Sequence, residues 1–257
     1  MSDLKKTIER NNIAYGMFMA LKDPALVEII GYAGYDFVII DLEHSSLDLS
    51  TMEHMIRAAK IADVCSVVRV PQEGYSTLLR AAEAGADAVM FPHLVTKEQA
   101  ENIVKMTKYY PIGERGLDAS TRVAKYGNVP MAAHMKQQNK RIQIIGMIED
   151  KEALDNIDEI LSVKDIDHLF IGAADLSSSF GLPGQVTHPK LRESIKSVID
   201  KANEMNIPVG LPTYDAAQAH ELQEMGVRVI ATPAVDTFLI SETFKNHLVK
   251  IKEYKNA

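Results

Sequence analysis

Asp41, Glu43, His44, Arg69, Glu149 and Asp175 each stand at or just beyond the end of a short apolar run. Their types suggest one chemistry. Glu149 and Asp175 offer hard oxygen ligands, and two carboxylates completed by water suit Mg²⁺ or Mn²⁺ and tolerate Co²⁺. Zinc is less favoured, because one histidine is near and no thiolate is. Arg69 carries a planar guanidinium that can hold a carboxylate or stabilise an oxyanion. His44 has an intrinsic pKa close to neutrality, which suits a general base. The competing reading is structural: carboxylates before helices often cap them or pair with arginine. Asp150, directly before a helical segment, reads as such a cap. A Schiff-base mechanism would need a lysine facing inward from a strand, and the strand segments hold none; Lys151 opens a helix.

These residues need a scaffold that gathers strand ends. Val- and Ile-rich runs alternate along the chain with segments of helical period. The expected strands are 14–19, 36–41, 66–70, 88–91, 142–148, 168–171, 208–211 and 228–231. Helices are expected to begin near Pro24, Leu49, Tyr75, Lys97, Lys151, Pro189, Tyr214 and Thr237, with Gly31, Gly34, Gly85 and Gly226 at helix ends. Eight such pairs in about 250 residues match an α/β (β/α)₈ TIM barrel, whose chemistry collects at the C-terminal strand ends. The competing open doubly wound sheet often has a Gly-rich turn after its first strand, and Met19-Ala20-Leu21 is not one. The expectation is one barrel domain over residues 1–257. It carries a long insertion at about 111–141, holding a short helix from Pro130 to Lys140. Parity along the strands points Arg69 the same way as Val67, and Met147 the same way as Glu149, into the barrel.

Composition narrows the function classes. The chain has 257 residues, 46% of them hydrophobic, and a formal charge of −7. An acidic chain without a basic tail is a poor partner for nucleic acid or an anionic membrane. Cys65 is the single cysteine and reads as a small buried hydrophobe, with no internal disulfide to form. Met1 to Asn12 is too polar for a signal peptide, and no apolar run nears the ~20 residues of a membrane helix. The expectation is a soluble cytoplasmic protein acting on a small molecule. The segments after the last two strands lack a Gly-rich nest, so phosphorylated substrates are disfavoured.

Several stretches together resemble the HpcH/HpaI aldolase family. They are Asp36–Asp48, Arg69-Val70-Pro71, Glu83-Ala84-Gly85-Ala86-Asp87, Tyr110–Gly116, Met147-Ile148-Glu149 with Ala153–Ile157, and Phe170–Ser177. Order and spacing match along nearly the whole chain. The resemblance implies a (β/α)₈ barrel and a class II, divalent-metal-dependent aldolase. Such an enzyme, of the 4-hydroxy-2-oxoheptanedioate or 2-dehydro-3-deoxyglucarate aldolase type, cleaves a 4-hydroxy-2-oxo acid to pyruvate and an aldehyde. Position by position, it implies His44 as the base, Arg69 as the arginine that stabilises the transition state, and Glu149 and Asp175 as metal ligands. It puts Arg69, Met147, Gly172, Ala174 and Asp175 around the keto acid.

Glu83 falls where the family has the acidic partner of the histidine, often Asp. It lies at a helix end that belongs at the barrel base, from which it would most easily reach a neighbouring subunit's site; the resemblance implies such a homo-oligomer, a hexamer. Two further positions depart from the family: Met147 stands where many members have Gln, and Ala173 where many have Pro. The rival readings are a related metal-enolate lyase or decarboxylase on another 2-keto acid, and a catalytically silent barrel acting as a binding or assembly protein. Arg115 and Arg122 in the insertion either meet an acidic aldehyde tail or lie on the surface.

Overall fold

A computed structural model describes residues 3–72 and 74–254. Strands β1 (Ala14–Met19), β2 (Phe37–Asp41), β3 (Cys65–Arg69), β4 (Ala88–Phe91), β5 (Gln143–Ile148), β6 (His168–Ile171), β7 (Val209–Pro212) and β8 (Val229–Val235) are parallel. They pair in chain order, and β8 closes onto β1. The helices are α1 (Leu4–Asn11), α2 (Pro24–Tyr32), α3 (Leu49–Ile61), α4 (Tyr75–Ala84), α5 (Lys97–Thr107), α6 (Met131–Arg141), α7 (Lys151–Asp155), α8 (Ile157–Leu161), α9 (Ala173–Ser179), α10 (Pro189–Glu204), α11 (Ala216–Glu224) and α12 (Asp236–Tyr254). This is the (β/α)₈ barrel that the alternation predicts. Among the described residues no helix is long and apolar enough to cross a membrane.

Strand alternation builds two cores. Phe37 and Ile39, Cys65 and Val67, Ile145 and Met147, and Phe170 fill the barrel interior. Their neighbours Val38, Ile40, Val68, Ile144, Ile148 and Ile171 pack outward under the helices. Continuing the inward parity by two residues reaches Asp41, Arg69 and Glu149. Asp41 and Arg69 stand side by side in the β2–β3 register. Cys65 is buried, and burial pushes its thiol up, as the sequence reading expects of a core residue.

The structure corrects several expectations. The segment Met1–Asn12, for which no element is expected, contains α1. Its Met1 and Ser2 lie outside the described residues, but Asp3 caps α1, and Leu4 is buried among the interior side chains at the barrel base. β8 runs four residues past the expected end at Ala231, so α12 begins at once at Asp236, whose carboxylate accepts the Ala20 and Leu21 N–H groups. α11 begins at Ala216, because Asp215 caps it. The helix expected from Lys151 divides into α7 and α8. Gly31 lies inside α2, while Gly85 ends α4 in a left-handed conformation, as expected.

The insertion is packed, with α6 close to the expected bounds. Tyr109 and Asn139 exchange two hydrogen bonds there, of 2.6 and 2.8 Å. Arg115 neither greets solvent nor lies in the mouth: it is 4% exposed and stacks 4.5 Å over the Tyr109 ring. Arg122 donates to the Ala84 carbonyl.

Candidate active site

β2 and β3 deliver the first half of the site. Asp41 accepts two bonds from Arg69, from Nε at 2.9 Å and from Nη2 at 2.6 Å. The fork is rigid because both partners are buried and both bonds are charge-assisted. Glu43 approaches Arg69 Nη1 at 3.4 Å, and the guanidinium lies 4.8 Å over the Phe18 ring. The Glu43 and His44 N–H groups also donate to Asp41 Oδ1. Burial alone would raise the Asp41 carboxyl, but Arg69 and those N–H groups hold it below its ordinary value.

His44 follows in the exposed β2–α3 segment, with its side chain 65% accessible and Glu43 3.9 Å from Nε2. Of the two carboxylates on the same strand end, Glu43 is the one near the His44 ring. Asp41 is committed to Arg69.

β5 and β6 deliver the second half. Glu149 directly follows β5 and is 2% exposed. Burial pushes its carboxyl above the ordinary value, and the charges of Asp175 and Glu43 add to the rise. The His93 amide and ring work against it. Gly172 makes room for this carboxylate: a Cβ there would stand 2.3 Å from Glu149 Oε2. Asp175 lies beyond the strand, in the exposed first turn of α9. The chain turns helical immediately after Gly172, so the first-turn N–H groups of α9 have no intrahelical partner. Met147 faces the barrel interior one inward position below Glu149.

His93 is the residue that sequence reasoning left without a role. Its amide donates to Glu149 Oε1 at 2.8 Å, and its Nδ1 lies 2.9 Å from Asp150 Oδ2. Burial works against its protonation, but the Asp150 and Glu149 carboxylates outweigh it and raise its pKa. The available signal was a histidine two residues past the end of β4, in the Phe91-Pro92-His93 step. Asp150, expected to cap a helix, occupies the N-cap position of α7 but makes no side-chain cap bond.

Glu83 is not brought to this mouth. It sits near the C-terminal end of α4, at the barrel base, with Arg80 as its ionic neighbour at 3.9 Å. Its carbonyl accepts the Val123 N–H from the insertion.

An HpcH/HpaI aldolase/citrate lyase family model matches residues 14–242. The chain belongs to this family. It is thus an enzyme of a lyase family, as the resemblance implied. A 2-keto-3-deoxy-L-rhamnonate aldolase from Salmonella paratyphi A is 32% identical over 255 residues, covering 98% of this chain and 94% of that one. Among family structures, an HpcH/HpaI aldolase from Desulfitobacterium hafniense DCB-2 superposes with a TM-score of 0.91 at 30% identity, covering 98% of both chains. The citrate synthase SbnG superposes with a TM-score of 0.90 at 30% identity, covering all of both chains.

Proposed function

We propose that this family member is a class II aldolase that cleaves a 4-hydroxy-2-oxo acid to pyruvate and an aldehyde. The carrying observation is one mouth that holds both a bidentate Asp41–Arg69 pair and a buried carboxylate, Glu149, pressed by the charges of Asp175 and Glu43. A divalent cation fits these residues. Glu149 is a buried hard-oxygen donor with like charges against it, which a cation would relieve. Among the described residues no cluster of three or more His, Cys, Asp or Glu side chains encloses a metal by itself. Glu149 and Asp175 would therefore hold Mg²⁺, Mn²⁺ or Co²⁺ together with water and substrate oxygens. When bound, the cation would supply Lewis-acid stabilisation of negative charge on the keto oxygen.

The residues of the chain supply the rest. The first-turn N–H groups around Ala174, opened by Gly172, receive the keto-acid carboxylate. Arg69, immobilised by Asp41, directs its remaining N–H groups at the keto oxygen and stabilises the charge that develops there. His44 takes the 4-hydroxyl proton. The C3–C4 bond breaks, C4 becomes the aldehyde carbonyl, and the bonding pair enters the pyruvate enolate. Protonation at C3 then yields pyruvate. Met147 presents an apolar, polarizable wall beneath this site, which disfavours substrates with a polar group there.

The same reading includes a homo-oligomer in which Glu83 serves the histidine of a neighbour. α12 supports it: Phe238, Phe244, Leu248, Val249 and Ile251 are exposed, and Asp236 is its one buried residue. Such an apolar helix is stabilised by burial against a second copy.

A panel of 4-hydroxy-2-oxo acids assayed with and without Mn²⁺ tests the activity. The expected outcome is Mn²⁺-dependent pyruvate release from at least one member. Full activity after exhaustive chelation would overturn the metal role. The likeness to SbnG favours a second reading, in which the same mouth binds a 2-keto acid as electrophile and the enolate carbon of a second substrate attacks its keto carbon, whose oxygen takes up a proton. Under that reading the panel yields no pyruvate.

A further inference from the structure

We propose that His93 is a positioning residue for Glu149, held in place by Asp150; this rests on the metal reading above. The loop after β4 turns back across the end of β5. The Leu94 N–H donates to the Met147 carbonyl at 3.0 Å, and the His93 N–H donates to Glu149 Oε1 at 2.8 Å. His93 holds this position with a left-handed backbone, φ +52°. That conformation is uncommon outside glycine, and histidine adopts it more readily than most side chains when it is anchored. The holding group is on the page: His93 Nδ1 lies 2.9 Å from Asp150 Oδ2.

A second observation shows that Asp150 is reserved for this contact. It stands at the N-cap of α7, where an aspartate ordinarily accepts an N–H of the first turn, yet it makes no such bond. The Lys151 N–H instead donates to Ser179 Oγ at 2.7 Å. Ser179 thus satisfies a helix-start N–H, and the Asp150 carboxylate turns to the imidazole. The chain of contacts runs Asp150, His93 ring, His93 backbone, Glu149 Oε1. It holds one carboxylate oxygen, Oε1, while Oε2 lies beside Gly172. Groups that orient a metal ligand in this way commonly contribute about 10- to 100-fold in metal affinity.

The test is Mn²⁺ affinity, read by the EPR signal of free Mn²⁺ without substrate, in the full-length protein. His93→Ala and Asp150→Ala should each weaken binding by about 10-fold or more. His93→Gly should bind more tightly than His93→Ala, because glycine reaches the left-handed turn without a side-chain anchor. Wild-type affinity in His93→Ala would overturn the proposal. So would His93→Gly no better than His93→Ala, since the ring and not the backbone would then matter. If either alanine variant fails to fold, Asp150→Asn carries the test, with the same expected loss and the same overturning result. If the wild type binds no Mn²⁺, the metal reading fails by itself. Crystal structures of wild type and His93→Gly then decide the positioning role. Glu149 bonded to residue 93 in both supports it, and Glu149 turned away from the wild-type amide overturns it.

Discussion

Asp87 and Glu149 are both buried carboxylates in the wall of one barrel, at opposite ends. Asp87 precedes β4 at the base. Its oxygens meet Lys60, Arg141 at 2.8 Å, and the Ser66 N–H and hydroxyl at 3.1 and 2.8 Å. Burial pushes Asp87 up, but Lys60 and Arg141 outweigh it and hold the carboxyl below its ordinary value. Glu149 follows β5 at the mouth. Burial pushes it up as well, and there the neighbouring Asp175 and Glu43 add to the rise. At the base the Asp87 charge helps to close the structure, and Lys60 and Arg141 answer it within the chain. The mouth leaves a negative charge underpaid, and an underpaid buried charge is a place for a cation.

Substitutions at the two ends should therefore diverge. The largest expected effect is on turnover. Glu149→Gln should lower Mn²⁺-dependent pyruvate release by about 10³-fold or more. It should leave the fold intact and raise Tm by about 2 °C, because the like-charge pressure is relieved. A Glu149→Gln protein of lower Tm would mean that the mouth is paired internally, like the base.

Asp87→Asn should do the reverse. It should cost about 3 kcal/mol of stability, as when one partner of a buried ion pair is removed, while the rate per folded molecule is retained. The pH dependence carries a definite sign. A depressed carboxyl stabilises the fold fully above the ordinary aspartate value of about 3.9, and that stabilisation is lost as pH falls through the depressed value. The Tm gap between wild type and Asp87→Asn should thus close in acid; a constant gap would show that the ion pairs are not its source.

Arg69→Lys comes next. It keeps the charge but loses the two-pronged bond to Asp41, and kcat should fall by about 10²-fold. A change confined to KM would assign Arg69 to ground-state binding.

The smallest effect is expected from Glu43→Gln. Removing that charge lowers the Glu149 carboxyl, so the loss of Mn²⁺ binding on acidification should shift to lower pH. An acid limb that does not move would show that the two halves of the mouth do not share one field.

Much of this was legible before any coordinates. β1, β4 and β6 have the bounds read from apolar runs, β2 and β5 differ from theirs by one residue at the start, and β3 and β7 are shifted by one residue at each end. Inward parity placed Arg69 and Met147 correctly, because alternation is a property of each strand alone. The insertion helix was legible from its own period. α1 was missed, although Asp3 followed by Leu4, Thr7 and Ile8 has the cap and spacing of a helix with one buried face.

The sequence by itself determined the barrel, its strand ends and the acidic set at them, since periodicity and length are local quantities. The tertiary structure decided which partner each charged group keeps. It gave Asp41 to Arg69, Asp150 to His93 and Asp87 to Lys60 and Arg141. It also buried Arg115 against Tyr109. Those choices depend on strands and helices brought together by closure of the barrel. Burial strengthens a paired charge and penalises an unpaired one, so the same residue types became structure at one end and the candidate site at the other.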